Sequence, residues 1–107
     1  MAELVYETYS IVKPIDVICF DYKNGEKRPL AFEWETDDGE IITVTIDDVV
    51  SSLPMAEQKA GITGDRYTCV INGQLEFLWY GMLEPRAWYK QIEVSKEEYE
   101  RNFPLPE

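Results

Sequence analysis

The sequence contains no histidine, and only two of its 107 residues are cysteine. Nucleophilic and general-base catalysis rely on histidine, an activated thiol or hydroxyl, or a carboxylate with a perturbed pKa. Cys19 and Cys69 lack the spacing of a metal site, and the adjacent acids at 37–38 and 47–48 fall at a turn and at a predicted helix start. We therefore expect no catalytic residue, no metal and no other cofactor, and we do not expect an enzyme.

Long apolar runs are also missing. No stretch approaches the length of a membrane-spanning helix, and the N-terminus has no basic region followed by an apolar one. The length predicts one domain over 1–107, with a core over 14–92. We expect a cytoplasmic protein without membrane association, in which both thiols stay reduced.

Basic residues are scarce. Ten lysines and arginines against 21 carboxylates give a formal net charge of −11. A polyanionic surface repels phosphate backbones, so nucleic acid is an unfavourable partner. The negative charge is compatible with a basic protein partner, and it is equally explained by a role in keeping the protein soluble.

Three stretches share one turn chemistry, in which two loop residues precede a glycine that can adopt a left-handed conformation. With three-residue loops at 23–25 and 37–39, apolar side chains fall opposite one another. The predicted pairs are Ile18 with Leu30, Tyr22 with Glu26, Trp34 with Ile42, Phe32 with Val44, and Leu30 with Ile46.

The third stretch, ITGDRYTCVINGQLEFLWYG, allows two registers. A two-residue Asn-Gly loop places Cys69 opposite Glu76, which mixes an acid with the apolar face. A three-residue loop instead places Cys69 opposite Leu75 and Tyr67 opposite Phe77. The apolar pattern therefore favours the three-residue loop, with its glycine in a bulge.

These patterns predict strands at about 15–22, 26–36, 40–46, 65–71, 74–80 and 86–92, and a further strand at 4–12. Pro29 lies inside a strand, so we expect it at an edge or a bulge. So many short antiparallel strands indicate a mainly β fold, and we favour a small SH3-like barrel of five to seven strands. Trp34 and Trp79 are predicted core residues because they alternate with the polar positions.

Two segments depart from this strand pattern. Residues 47–64 are predicted to form a long excursion with a short helical turn capped by Asp47. Near the end, Ser95 is a predicted N-cap for a helix at about 96–102, with Glu98 as its capping-box partner. Tyr99 and Phe103 are expected to dock this helix on the sheet.

Binding residues are sought among aromatic and basic side chains. Trp88 shares a strand face with Arg86 and Lys90, and with Arg66 they form the candidate binding surface. One interpretation is that this face stacks against nucleobases. The other is that it is an edge of the barrel, where the aliphatic parts of the basic side chains cover the Trp88 ring. Lys59 and Gly61 mark a candidate loop in the excursion.

The order of these features resembles a family of small stand-alone bacterial β-barrel proteins of uncharacterised function. The similar segments are PIDVICFDYKNGEKRPLAFEW, KAG, YTCVINGQLEFLWYG and WYKQI, which span residues 14–92. The matching positions are Pro14, Ile15, Arg28, Pro29, Phe32, Lys59 to Gly61, Cys69 and Trp88. Some members are encoded beside Y-family translesion polymerases, so the resemblance implies an accessory role in DNA repair, with a DNA polymerase as a partner. It identifies no catalytic residue.

Three functional interpretations follow. The leading one is a non-catalytic acidic module that binds a protein partner, with a homodimer through an edge strand also compatible. The second is an accessory protein that binds single-stranded nucleic acid. The third is a small-ligand-binding protein with a pocket beside the 47–64 excursion.

Overall fold

The computed structural model describes residues 8–102, which form eight strands and one helix. The elements are β1 (Thr8–Ile15), β2 (Val17–Asp21), β3 (Lys27–Glu35), β4 (Ile41–Thr45), β5 (Asp48–Glu57), β6 (Ile62–Ile71), β7 (Gln74–Gly81), β8 (Trp88–Ser95) and α1 (Lys96–Asn102). One sheet has the order β1-β8-β7-β6-β5 and the other the order β2-β3-β4, and all pairs are antiparallel. The mainly β class and the C-terminal helix are confirmed. The described strands number eight, not five to seven, and an SH3-like barrel is not confirmed.

The loop at 37–39 has the predicted register. Trp34 lies opposite Ile42 and Phe32 opposite Val44, and Gly39 has a φ of 83°. The left-handed glycine explains why the chain reverses there without a side-chain clash.

The first hairpin follows the prediction at its tip but departs from it further along. The Tyr22 N–H donates to the Glu26 carbonyl at 2.8 Å, as expected for that pair. Ile18, however, lies opposite Ala31, so the predicted pairing with Leu30 is wrong. The register shifts by one residue beside Pro29, which has no amide hydrogen to donate. The expectation that this proline lies at a bulge is confirmed.

The register predicted around residues 71–73 is wrong. Cys69 lies opposite Glu76 instead of Leu75, so the hairpin has a two-residue loop. Asn72 and Gly73 both have positive φ, 51° and 75°. Asparagine and glycine tolerate this conformation at adjacent positions, and the resulting turn matches the twist of the strands. The positive φ predicted for Gly73 is confirmed, although the bulge is not.

The prediction of a long excursion at 47–64 is also wrong, because most of this segment forms the ten-residue strand β5. β5 pairs along its length with β6 and forms an edge of the five-stranded sheet, with a register shift between Val49 and Ser51. Asp47 caps no helix. Its carboxylate accepts a hydrogen bond from the Asn72 N–H at 2.9 Å and ties the start of β5 to the turn after β6.

The main core lies between the two sheets. Phe32 and Ile46 pack with four buried side chains of the five-stranded sheet, which are Tyr67, Cys69, Ile71 and Leu78. Trp34 is half-buried and packs against this cluster. Trp79 is fully buried on the opposite face of β7 from its neighbour Leu78, and its indole donates to Gln91 Oε1 at 2.8 Å. The predicted burial of Trp79 is confirmed, whereas Trp34 is only partly buried at the margin of the core.

The C-terminal helix begins as predicted. The Ser95 hydroxyl accepts the Glu98 N–H at 3.1 Å, which is the bond of an N-cap. Tyr99 stacks on Tyr9 of β1 with 4.5 Å between ring centroids. Phe103 and the first residues of the strand predicted at 4–12 lie outside the described residues. Among those described, no helix is long and apolar enough to cross a membrane.

Candidate functional site

The sequence-predicted binding residues Trp88 and Lys90 lie on the β8 face that packs towards the main core. The Trp88 ring is half-buried, with 5.0 Å between its centroid and each of the Tyr67 and Tyr80 centroids. Lys90 is 8% exposed, and its ammonium lies 2.6 Å from Glu76 Oε1. The ring and the charge are therefore engaged inside the protein.

Arg86 lies in the loop before β8 and makes several contacts at the edge of a cleft. Its guanidinium donates to the Gly81 and Tyr80 carbonyls and to Asp65 Oδ2, and it stacks on the Tyr80 ring at 4.1 Å. Lys27 approaches the same ring at 5.3 Å. Tyr80 is thus flanked by two cations, Lys27 from the three-stranded sheet and Arg86 from the loop between β7 and β8.

This cleft, which we call the cation-flanked cleft, has a volume of about 450 Å³ and lies beside Ser52, Leu53 and Pro54 of β5. Both of its cations are already paired, Arg86 with Asp65 at 3.0 Å and Lys27 with Asp21 at 2.8 Å. The Lys27–Asp21 pair lies within the first hairpin, and the Arg86–Asp65 pair joins the loop before β8 to β6. Both cations are therefore already neutralised by neighbouring carboxylates of the protein.

Arg66 lies apart from the other predicted binding residues. It alternates with Tyr67 along β6 and so faces away from the main core. Its guanidinium stacks on the Phe77 ring at 4.3 Å, and its Nε is buried with no hydrogen-bond partner among the described residues. Arg86 and Trp88 meet at Tyr80, Lys90 points inward, and Arg66 lies on the other face, so the four residues do not form one continuous surface.

The candidate loop is the tip of the β5–β6 hairpin. Gly61 has a φ of 67°, and the N–H of exposed Lys59 donates to the Glu57 carboxylate at 3.1 Å. These contacts account for the turn and leave the Lys59 ammonium in solvent.

Sequence reasoning missed a groove where the ends of β1, β3 and β8 meet. We call it the acidic tryptophan groove, and its volume is about 380 Å³. Its lining combines six apolar and three acidic residues, which are Pro14, Ile15, Trp34, Ile41, Ala87, Trp88, Asp16, Glu33 and Glu35. An adjoining cleft adds Lys13 and Asp37. Trp34 and Trp88 are far apart in the sequence and come from different sheets, so no local pattern placed them together.

The groove's carboxylates carry uncompensated charge. Within residues 8–102, none of Asp16, Glu33, Glu35 and Asp37 forms an ion pair with a lysine or arginine. Lys13 is exposed and places its ammonium 5.7 Å from the Trp34 centroid. Glu33 and Glu35 alternate with Trp34 along β3, so their side chains leave the opposite face of the strand from its ring, and all three residues border the groove at the end of the strand. Aromatic and acidic residues around one groove attract cationic side chains.

A second missed surface is the outer face of β2, an edge strand of the three-stranded sheet. Ile18 and Phe20 alternate along β2 and Tyr22 follows directly after its end, with exposed fractions of 58%, 54% and 43%. The Phe20 and Tyr22 rings meet edge to face at 4.9 Å. We call these three residues the outer apolar row. Their alternation was visible in the sequence, but the predicted pairing of Ile18 with Leu30 concealed which face they occupy.

The thiols show no sign of activation. Burial raises the pKa of Cys69 to about 11, with the Glu76 charge acting in the same direction. Burial and then the charge of Asp21 raise the pKa of Cys19. Neither thiol is in a disulfide, as predicted. In the described part of the chain, no cluster of three or more Cys, Asp or Glu residues is arranged to hold a metal ion.

Comparison with known proteins gives no match, since no family model fits the chain and neither a curated protein nor a solved structure is significantly similar to it.

Proposed function

We propose that this chain is a non-catalytic module that binds a basic partner protein. The observation that carries the proposal is the outer apolar row on β2. A row of large apolar side chains beside an unpaired strand edge is typical of a protein-docking surface. The net charge of −11 supports a basic partner, because opposite charges steer association.

The proposal places the module in the cytoplasm, where both thiols stay reduced. The resemblance in the sequence adds a DNA polymerase as a candidate partner and an accessory role in DNA repair. Single-stranded nucleic acid ranks lower, because the Lys90 ammonium is committed to Glu76 and Arg66 lies on the opposite face from Trp88. A small ligand ranks lower as well, because the cations of the cation-flanked cleft are already paired.

Site-specific photocrosslinking in cells tests this proposal. A photoreactive phenylalanine analogue replaces Phe20 in one variant and Leu83 in a matched control. Leu83 is also apolar and is 86% exposed, but it lies in the loop after β7. We expect a discrete adduct with a basic protein from position 20 and none from position 83.

Mass spectrometry of the adduct identifies the partner, and Phe20→Ser should abolish its co-purification. An adduct between two copies of this chain would replace the partner with a homodimer. Equal adducts from both positions, or none from position 20, would contradict the proposal.

A further inference from the structure

Two lysines share the Trp34 ring, and they are held very differently. The ammonium groups of Lys13 and Lys90 each lie 5.7 Å from the ring centroid. Lys90 is buried and paired with Glu76, so its position is fixed. Lys13 is exposed, and among the described residues it has no carboxylate within ion-pair distance. Of the two, Lys13 is therefore the one that can be replaced.

The strand register places Lys13 at an electrostatic disadvantage. Lys13 of β1 lies directly opposite Lys90 of β8. Like charges opposite one another on antiparallel strands destabilise the pair. An exposed contact between a cation and an aromatic ring is worth only a factor of about two to five in an equilibrium constant. A competing cation with better partners would displace Lys13 readily.

We propose that the Trp34 side of the acidic tryptophan groove binds an arginine side chain of a basic protein segment, and that Lys13 occupies this position in the free protein. The inference rests on the proposed function, because it specifies the chemistry by which a basic partner is recognised. It names a different surface from the outer apolar row, so the two can be tested separately.

The charge of the groove favours such an occupant. Four acidic residues, Asp16, Glu33, Glu35 and Asp37, border the groove and the adjoining cleft, and Lys13 is the only lysine or arginine among the described lining residues. The planar guanidinium of arginine stacks on an indole while its edge donates hydrogen bonds to carboxylates. Lysine offers one compact charge and cannot satisfy both kinds of partner as well. Arginine is therefore the expected ligand.

Binding is measured with capped tetra-arginine, tetra-lysine and tetra-glutamate peptides by NMR at low salt and at about 0.15 M salt, where screening reaches about 8 Å. In the free protein, the indole ring current should shift the Lys13 methylene signals upfield. Tetra-arginine should remove this shift, move the Trp34 indole N–H signal and leave that of buried Trp79 unchanged. Tetra-lysine should bind more weakly, and tetra-glutamate should not bind.

Charge-matched variants separate the groove from general attraction. Lys13→Gln and Lys59→Gln each lower the net charge by one unit from −11. We expect Lys13→Gln to bind tetra-arginine about two to five times more tightly than Lys59→Gln, because only the first removes the internal competitor. If both variants bind tetra-arginine equally and the Lys13 ring-current shift persists in the wild-type complex, arginine does not displace Lys13 and the proposal is refuted.

A second pair of variants tests the acidic rim. Glu33→Gln/Glu35→Gln and Glu93→Gln/Glu100→Gln remove the same charge, but only the first pair lies in the groove. We expect the groove pair to weaken binding about tenfold more than the control pair. Equal weakening would mean diffuse attraction to a polyanion and would refute the site.

The two proposals can fail independently. If wild-type protein shows no binding of tetra-arginine at low salt, the arginine site is refuted, while an adduct from position 20 would still support the interaction module. If tetra-arginine binds as described but position 20 gives no adduct, the groove remains a cation site and the outer apolar row loses its assigned role.

Discussion

Lys90 and Glu76 form the ion pair whose loss should destabilise the fold most. The Lys90 side chain is 10% exposed, the Glu76 side chain is 28% exposed, and their charged atoms lie 2.6 Å apart. Glu76→Gln keeps the shape of the side chain but leaves the ammonium without a counter-charge. Removing one partner of a fully buried ion pair costs about 3–5 kcal/mol. Water reaches part of Glu76, and Lys90 also lies near the Gln91 carbonyl, so we expect a smaller loss of about 2 kcal/mol.

Asp21→Asn is the matched control. Asp21 pairs with Lys27 at 2.8 Å, but the two side chains are 66% and 29% exposed. Exposed pairs of this kind contribute about 0–1 kcal/mol. Both substitutions change the net charge by the same amount, so any general relief of repulsion in this acidic chain cancels in the comparison.

Equilibrium unfolding in urea, followed by tryptophan fluorescence, gives the free energy of unfolding for each variant. Lys90→Met provides a second check, because Glu76→Gln should cost less than about 0.5 kcal/mol once the ammonium is gone. The reasoning is refuted if Glu76→Gln costs no more than Asp21→Asn, or if its cost is unchanged beside Lys90→Met.

Three further predictions concern the turn, the buried thiol and nucleic acid. Gly73→Val should lower the free energy of unfolding by about 1–2 kcal/mol in urea titrations, because a β-branched residue is strained at a φ of 75° even though open space surrounds the glycine. A similar value for Gly73→Asn, which tolerates that φ better, would contradict this reason. Cys69 should react with a thiol reagent more slowly than Cys19 at neutral pH. Because folding raises the Cys69 pKa from 9.0 to about 11, the thiol ionises at a lower pH in the unfolded chain than in the folded protein. The stability that the neutral thiol contributes should therefore be complete below pH 9 and lost between about pH 9 and 11, and Cys69→Ala should not show this loss. A labelled single-stranded DNA should show no change in fluorescence anisotropy even at low salt, whereas Trp88→Ala should reduce thermal stability because its ring packs against two tyrosines; a tight, salt-sensitive complex would reverse this expectation.

The sequence predicted best where a turn and its flanking strands agreed. At 37–39 the glycine position and the apolar alternation indicated the same register, and Trp34 does face Ile42. At 72–73 the Asn-Gly turn indicates a two-residue loop, whereas the apolar alternation predicts a three-residue loop. The apolar alternation predicts the wrong register because it keeps the Glu76 carboxylate away from the core side, where the structure places it opposite Cys69. Lys90, on the next strand in the sheet, neutralises the carboxylate there, and only the tertiary fold shows this partner.

Strand β5 was missed for a related reason. Its sequence, DVVSSLPMAE, has no regular alternation and contains a proline, which normally argues against a strand. Both features are tolerated at an edge, where one side of the backbone needs no partner. The register shift between Val49 and Ser51 further disturbs the period of two. A pattern that assumes regular alternation cannot recognise an interrupted edge strand.

The acidic tryptophan groove depends on how the two sheets meet. Trp34 belongs to the three-stranded sheet and Trp88 to the five-stranded sheet, and Lys13 approaches the first ring from β1. Each residue has an ordinary local role as a half-buried ring or an exposed cation, and the strand pattern alone predicted a stacking role for Trp88 together with Lys90. In the fold, Lys90 is held by Glu76, whereas within residues 8–102 no lysine or arginine pairs with the four acidic residues around the groove. The surface near Trp88 is therefore better suited to a partner's cation than to a phosphate backbone, and this reverses the chemistry that its neighbouring basic residues suggested.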